Sequence, residues 1–172
     1  VGDGVTNDAA PIKASLDAIA GVPALLNSAT YRTTAITPAN NNAGLRGDSR
    51  GGSVLQRSGS STVISANTKD GFRLQDLTLD NDFTATGLSA HGVVLLGTDD
   101  WVIENVQIKN FGNLGGSAGS GFLAYSGTGG ADPTKNGFAS NLKIVGSALG
   151  LSDNTNGYLL TDGRYCTARA IY

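Results

Sequence analysis

Asp70 and Asp99 lie 29 residues apart, and this spacing makes them the carboxylates best placed to act together. In a repeating chain whose turns stack about 4.8 Å apart, such a pair approaches the roughly 5–5.5 Å that a retaining glycosidase needs. Like charges that close raise the pKa of one acid and supply a general acid. Asp is equally at home in turns, where its side chain bonds nearby backbone, so the same residues also read as corner formers. Asp80 and Asp82 in "LDNDF" invite the same two readings. Tyr125 and Tyr158 end or open apolar strands and offer platforms on which a sugar can stack at little ordering cost. Arg164, one column along from Asp70 and Asp99, is a third candidate for substrate binding. His91, aligned with Ser120 and Asn156, reads either as a sugar-binding or catalytic group or as a polar strand entrance. Trp101, aligned with Phe72, reads as core or as a sugar platform.

Other chemistries find less support. Ser49 in "GDS" has no histidine placed to activate it. The Gly-rich stretches "GDGVTND" (2–8) and "LRGDSRGGS" (45–53) lack the order of a phosphate loop. "DNTNG" (153–157) has no bidentate acid at the distance a calcium loop requires. Cys166 is the single cysteine, so no disulfide within the chain and no zinc cluster is expected, and a small buried hydrophobe is the simpler reading. No metal and no cofactor are expected.

The elements that must hold these residues follow from composition and repeat. At 172 residues the chain suits one domain with a sizeable core. A net charge of −2 gives no electrostatic footprint for nucleic acid or an anionic membrane. No apolar run approaches the roughly 20 residues of a membrane span, and no signal peptide is legible. The first residue is Val1, which suggests a processed chain or a piece of a longer one. Glycine, at 25 residues, is roughly twice its usual share, as many short strands joined by turns require.

"DLTLDN" (76–81) returns as "NVQIKN" (105–110) and, weaker, as "NLKIVG" (141–146). Sixteen residues after each polar opener (Asp76, Asn105, Asn141) lies a glycine: Gly92, Gly121 and Gly157. An apolar strand follows each glycine. The period is about 29 residues, with an insertion of seven in "SGTGGADPTKN" (126–136) that places Lys135 and Asn136 after Asp99 and Asp100. Apolar spacing of two puts Leu77, Leu79, Val106, Ile108, Leu142 and Ile144 on one side and Thr78, Gln107 and Lys143 on the other. Leucine-rich repeats are excluded by the missing consensus, and helical repeats by the period of two. The expectation is an all-β fold, a right-handed parallel β-helix with a short N-terminal capping helix, as one domain over residues 1–172. Residues 1–56 form its cap and first strands, and 57–172 its coils.

The helix is expected in "DAAPIKASLDAIAG" (8–21), capped by Asp8, with Pro11 in its first turn. Ile12, Leu16 and Ile19 should share a face, and Gly21 and Pro23 should end it. At the other end the fourth coil halts at Tyr172. That calls for a longer solenoid or a second chain to cover the edge.

"GDGVTNDAAPIKASLDAI" (2–19) resembles the opening motif of the pectin-lyase-like β-helices, close to GDGVTDDTAAIQAALDA, and the following "TYRTTAIT" and "LRGDSRGGSVL" are similar to the first strands of bacteriophage tailspikes. The "V-x-L-P-x-G-x-Y" strand of many relatives is replaced by "VPALLNSATYR" (22–32), with Pro and Gly displaced. The resemblance implies a β-helix that binds bacterial surface polysaccharide and in full length depolymerises it. It also implies assembly as a homotrimer and a place in the virion tail. A secreted polysaccharide lyase, hydrolase or epimerase and a non-catalytic virion module are the alternatives it leaves.

Overall fold

The computed structural model describes residues 2–59, 62–82, 91–112, 119–125, 134–146, 155–160 and 166–172. After β1 (Asp3–Asn7) and α1 (Ala9–Ala18), the chain winds as short strands separated by corners. The first coil carries β2 (Ala24–Leu26) and β3 (Ala29–Thr33), and Ile36 bridges onward to Ile64. β4 (Gly44–Gly47), β5 (Ser53–Arg57) and β6 (Ile64–Ser65) make the second coil. β7 (Arg73–Gln75), β8 (Thr78–Asp80) and β9 (Val93–Leu96) make the third. β10 (Val102–Glu104), β11 (Gln107–Phe111) and β12 (Gly119–Tyr125) make the fourth. β13 (Phe138–Gly146) turns a corner within its own length, and β14 (Thr155–Leu160) and β15 (Thr167–Ile171) follow.

Each strand pairs in parallel with its counterpart one coil away. Three faces result. Face A stacks β1, β3, β5, β8, β11 and the second half of β13. Face B stacks β2, β4, β7, β10, the first half of β13, and β15. Face C stacks β6, β9, β12 and β14. The chain is a right-handed parallel β-helix, the hand that parallel crossovers take.

The register confirms the repeat read from sequence. Gly121 falls opposite Gly92 and Gly157, next to the register pairs Phe122↔Val93 and Ser120↔Asn156. A Cβ at Gly92 would lie 2.5 Å from the Gly121 carbonyl oxygen, so the column needs glycine for close approach. Inward residues stack in files: Leu45, Leu74, Ile103 and Ala139 on face B, and Leu55, Leu79, Ile108 and Ile144 on face A. Face C adds Ile36, Ile64, Val93 and Phe122. These files form one continuous core in which Leu77, Val106 and Leu142 are also buried. Trp101 is core as well, its ring 5.4 Å from Phe122 at 46°.

The corners explain the polar repeats. Asp76, Asn105 and Asn141 have φ of 55°, 53° and 48°, the left-handed conformation that Asp and Asn tolerate best. Asn105 Nδ2 donates to Asp76 Oδ1 (2.8 Å), and Asn141 Nδ2 donates to Asn105 Oδ1 (2.9 Å). The openers are therefore a hydrogen-bonded ladder along one edge of the solenoid.

The cap departs from expectation in three details. Asp8 makes no side-chain cap; its carboxylate accepts the Gly2 N–H (3.1 Å), while Asn7 Oδ1 accepts the Ala9 N–H (3.0 Å). Asp8 is thus committed to closing the turn before the helix. The helix stops at Ala18, ahead of Gly21. Ile19 is already extended (φ −140°) and 60% exposed, so it leaves the face that Ile12 and Leu16 bury.

Candidate functional site

Strand alternation turns Thr30, Val54, Thr78, Gln107 and Lys143 outward on face A as one file. Arg32, Gln56, Asp80, Lys109 and Val145 form a second file beside it. Outward residues of a sheet are normally wet, yet Thr78 and Asp80 are only 3% and 6% exposed. One cover over this face is the turn after β4, since Thr78 Oγ1 donates to the Arg50 carbonyl. Arg50 then extends along the corner, and its Nη1 donates to the backbone oxygen (3.3 Å) and Oδ1 (3.2 Å) of Asn141.

At the far end of face A sits a cluster of charge. Asp80 accepts from Lys109 Nζ (3.2 Å), from Asn110 Nδ2 (2.8 Å) and from the Asp82 N–H (3.0 Å). Burial, with the negative charge of Asp80 beside it, pushes the Asp82 carboxyl above the usual carboxylate range. Arg32, Arg57 and Lys109 partly offset this. Arg57 is fully buried under the same corner. Desolvation lowers its pKa, against the pull of Asp82 and Asp80. A carboxyl whose pKa is raised by burial and a neighbouring carboxylate is a candidate proton donor.

Asp70 and Asp99 lie on a different corner, between faces C and B. They stack as the repeat requires: the Asp99 N–H donates to Asp70 Oδ1 (3.0 Å). Asp99 Oδ2 pairs with Lys135 Nζ (2.8 Å), and Asp99 Oδ1 is buried without a hydrogen bond. Lys135 forms an isolated parallel bridge with Asp99, as the placement of the insertion anticipates. The carboxylate of Asp99 thus faces a cation and that of Asp70 a backbone amide, an arrangement that closes a corner. Tyr125 is half-buried on face C, its carbonyl accepting from Thr134 Oγ1 (2.6 Å) and the Gly97 N–H (3.1 Å). Tyr158 pairs in register with Phe122, and its side chain lies outside the described residues, as does Arg164. The structure therefore brings Asp70 and Asp99 together and sets Tyr125 elsewhere on the solenoid from the face A cluster.

His91 is a strand entrance, with Nδ1 accepting the Ser120 N–H (3.1 Å). Burial holds its pKa below the usual imidazole value. Among the described residues no group of three or more His, Cys, Asp or Glu side chains could hold a metal, and no helix is long and apolar enough to cross a membrane. The alternation of "DLTLDN", "NVQIKN" and "NLKIVG" already turned Thr78, Gln107 and Lys143 outward. Arg32 and Arg50 carried no such signal.

Neither a family model nor a curated protein sequence matches the chain. Solved structures do. The A-module of Azotobacter vinelandii mannuronan C-5 epimerase AlgE6 superposes with a TM-score of 0.71 at 23% identity, over 84% of this chain and 41% of that one. The AlgE4 A-module of the same organism gives 0.69 at 19% identity, over 99% and 50%. ORF18 of Geobacillus virus E2 gives 0.57 at 16% identity, over 100% and 46%. These likenesses show the parallel β-helix fold. This β-helix spans half or less of the length of each of those proteins. At such identities the likeness speaks to fold, and the reaction must be argued from the site.

Proposed function

We propose that this β-helix is part of a phage tailspike-like protein that binds bacterial surface polysaccharide along face A, and that the full-length protein depolymerises it. The observation that carries the reading is the pair of outward files on face A. Except at Val54 and Val145 they stack hydrogen-bonding or charged side chains on successive rungs, with Thr78 and Asp80 covered at the centre and the raised carboxyl of Asp82 beside them. A linear polymer of repeating polar units suits a surface that repeats its polar groups every rung. The named activity of the epimerase modules and the viral origin of ORF18 add support from proteins of the same fold. In the assembled spike, three copies in the virion tail present this face to the host surface. Asp82 is the first proton donor to test. Asp70 and Asp99, on the separate corner between faces C and B, are the second pair to test, with Tyr125, Tyr158 and Arg164 as further candidate contacts.

The test is an array of bacterial polysaccharides probed with this chain and with the full-length protein, followed by an assay for new chain ends. Binding by the chain and cleavage by the longer form are the expected results. A chain that retains no polysaccharide overturns the reading. A second reading, a secreted polysaccharide lyase, hydrolase or epimerase, draws on the better superposition of the bacterial epimerase modules (0.71 and 0.69) than of the viral protein (0.57). An altered sugar in an uncut polymer, seen by NMR, selects an epimerase.

A further inference from the structure

The corner between faces B and A is two residues long on three coils, at 27–28, 76–77 and 105–106. On the second coil it is five, at 48–52. The base of this longer turn is fixed. The Asp48 N–H donates to the Leu26 carbonyl (3.1 Å), Asp48 Oδ2 accepts the Ser28 N–H (2.7 Å), and Ser53 Oγ donates to the Leu26 carbonyl (2.9 Å). Its tip lies over face A. There the Arg50 carbonyl accepts from Thr78 Oγ1, and Thr78 is 3% exposed although it points outward. The grip of the tip is light. Arg50 Nη1 meets two neutral oxygens of Asn141 at 3.2 and 3.3 Å, longer than the roughly 2.7–2.9 Å of a strong charge-assisted bond. Asn141 does not depend on it, since Oδ1 also accepts from the Tyr172 hydroxyl and Nδ2 donates to Asn105. Nothing lies within 4 Å of the place a Gly51 side chain would take, so the 50–51 peptide has room to turn. Once uncovered, Thr78 Oγ1 meets solvent or a ligand, so lifting the tip leaves that hydroxyl satisfied.

We propose that residues 48–52 form a strap, closed over Thr78 in the free protein, that swings aside when a polymer is laid along the file of Val54, Thr78, Gln107 and Lys143. This rests on the reading of face A as a polysaccharide-binding surface and adds a gate to it. The closed tip and the ligand claim the same place, so each excludes the other. The apparent affinity is then the intrinsic affinity scaled by the fraction of molecules in which the strap is open. Contacts that hold the tip down therefore weaken binding, and removing them strengthens it.

The test is made on the chain itself. Arg50→Ala removes the clasp on Asn141, and Thr78→Val, close in shape, removes the donor under the tip. In 15N relaxation the Gly51 amide should be ordered in the native chain and mobile in both variants, its order parameter falling below about 0.6. The signals of β8 and β11 should stay in place. An oligosaccharide cut from the tightest binder on the polysaccharide array is then titrated in. It should move the Gly51 signal of the native chain toward its position in the variants. It should also bind Arg50→Ala about threefold to tenfold more tightly than the native chain. A Gly51 amide equally ordered in all three proteins overturns the strap, and so does saturation that leaves the native Gly51 signal unmoved. Equal or weaker binding by Arg50→Ala overturns it as well, making the turn a fixed wall or Arg50 a direct contact. The polysaccharide reading survives each of those results when the oligosaccharide binds. If no polymer on the array binds, the functional reading fails and the gate fails with it.

Discussion

His91 Nδ1 can accept the Ser120 N–H only while the ring is neutral with its proton on Nε2. Burial disfavours the charged ring too, so its pKa in the fold is depressed below the ordinary 6.5. A depressed base takes up its proton in the unfolded chain first. Stability is therefore full above pH 6.5 and falls as the pH drops below it toward the folded pKa. Because His91 is the single histidine, the effect is isolated. Unfolding by urea at a series of pH values should show this loss in the native chain and a flatter profile in His91→Asn. Identical slopes in the two would remove the claim. At this scale the sequence was partly legible. The stacking of Asp99 on Asp70 follows from the period, and so does Lys135 once the insertion is placed. Arg50 does not, because its side chain reaches Asn141, 91 positions on, and no local pattern records a contact made along the solenoid axis. The choice between acid chemistry and corner chemistry for Asp70 and Asp99 likewise depends on which atoms their oxygens face.

The strands were the more legible elements, since alternation and a fixed glycine interval both report on the same pleated stack. Helix α1 was less so: Asp8 has the right side chain for a cap, but the Gly2 amide claims its carboxylate. The Asp76, Asn105 and Asn141 ladder joins the two levels, because each member both satisfies a neighbour and takes a left-handed backbone. Asn105 is the middle rung. Asn105→Ala leaves Asp76 Oδ1 and Asn141 Nδ2 without their partner and removes the polar side chain that makes the left-handed conformation tolerable, a conformation that costs an ordinary residue about 1–2 kcal/mol. With the half-buried hydrogen bonds, a total loss of about 2–3 kcal/mol is expected. Asn105→Gly relieves the backbone but not the hydrogen bonds, so it should recover roughly 1 kcal/mol of that loss. Denaturation of the two variants separates the contributions. An alanine variant as stable as the native chain would mean the ladder follows the fold rather than holding it.

At the scale of the molecule, a solenoid differs from a globule in that each coil touches only its neighbours, so stability is a chain of adjacent interfaces. The N-terminal end of that chain is closed by α1, whose Ile12 and Leu16 lie against the first coil while β1 and β2 end the stacks on faces A and B. Leu16 is wholly buried, and Leu16→Ala should cost about 2–5 kcal/mol through lost contact and the cavity it leaves. In a nearest-neighbour solenoid that cost falls unevenly. The first coil, with β2 and β3, loses its covering surface. β8 and β11 still have a coil on either side. Amide hydrogen exchange should therefore speed up most in β2 and β3, less in β4 and β5, and least in β8 and β11. Such a gradient would show that the coils open from the cap inward, so that face A keeps its middle rungs, with Asp80 and Lys109, when the first coil frays. Equal acceleration in every strand would mean instead that the β-helix unfolds as one unit. The cap would then guard the whole of face A, and Leu16→Ala would weaken the proposed glycan binding as much as it weakens the fold.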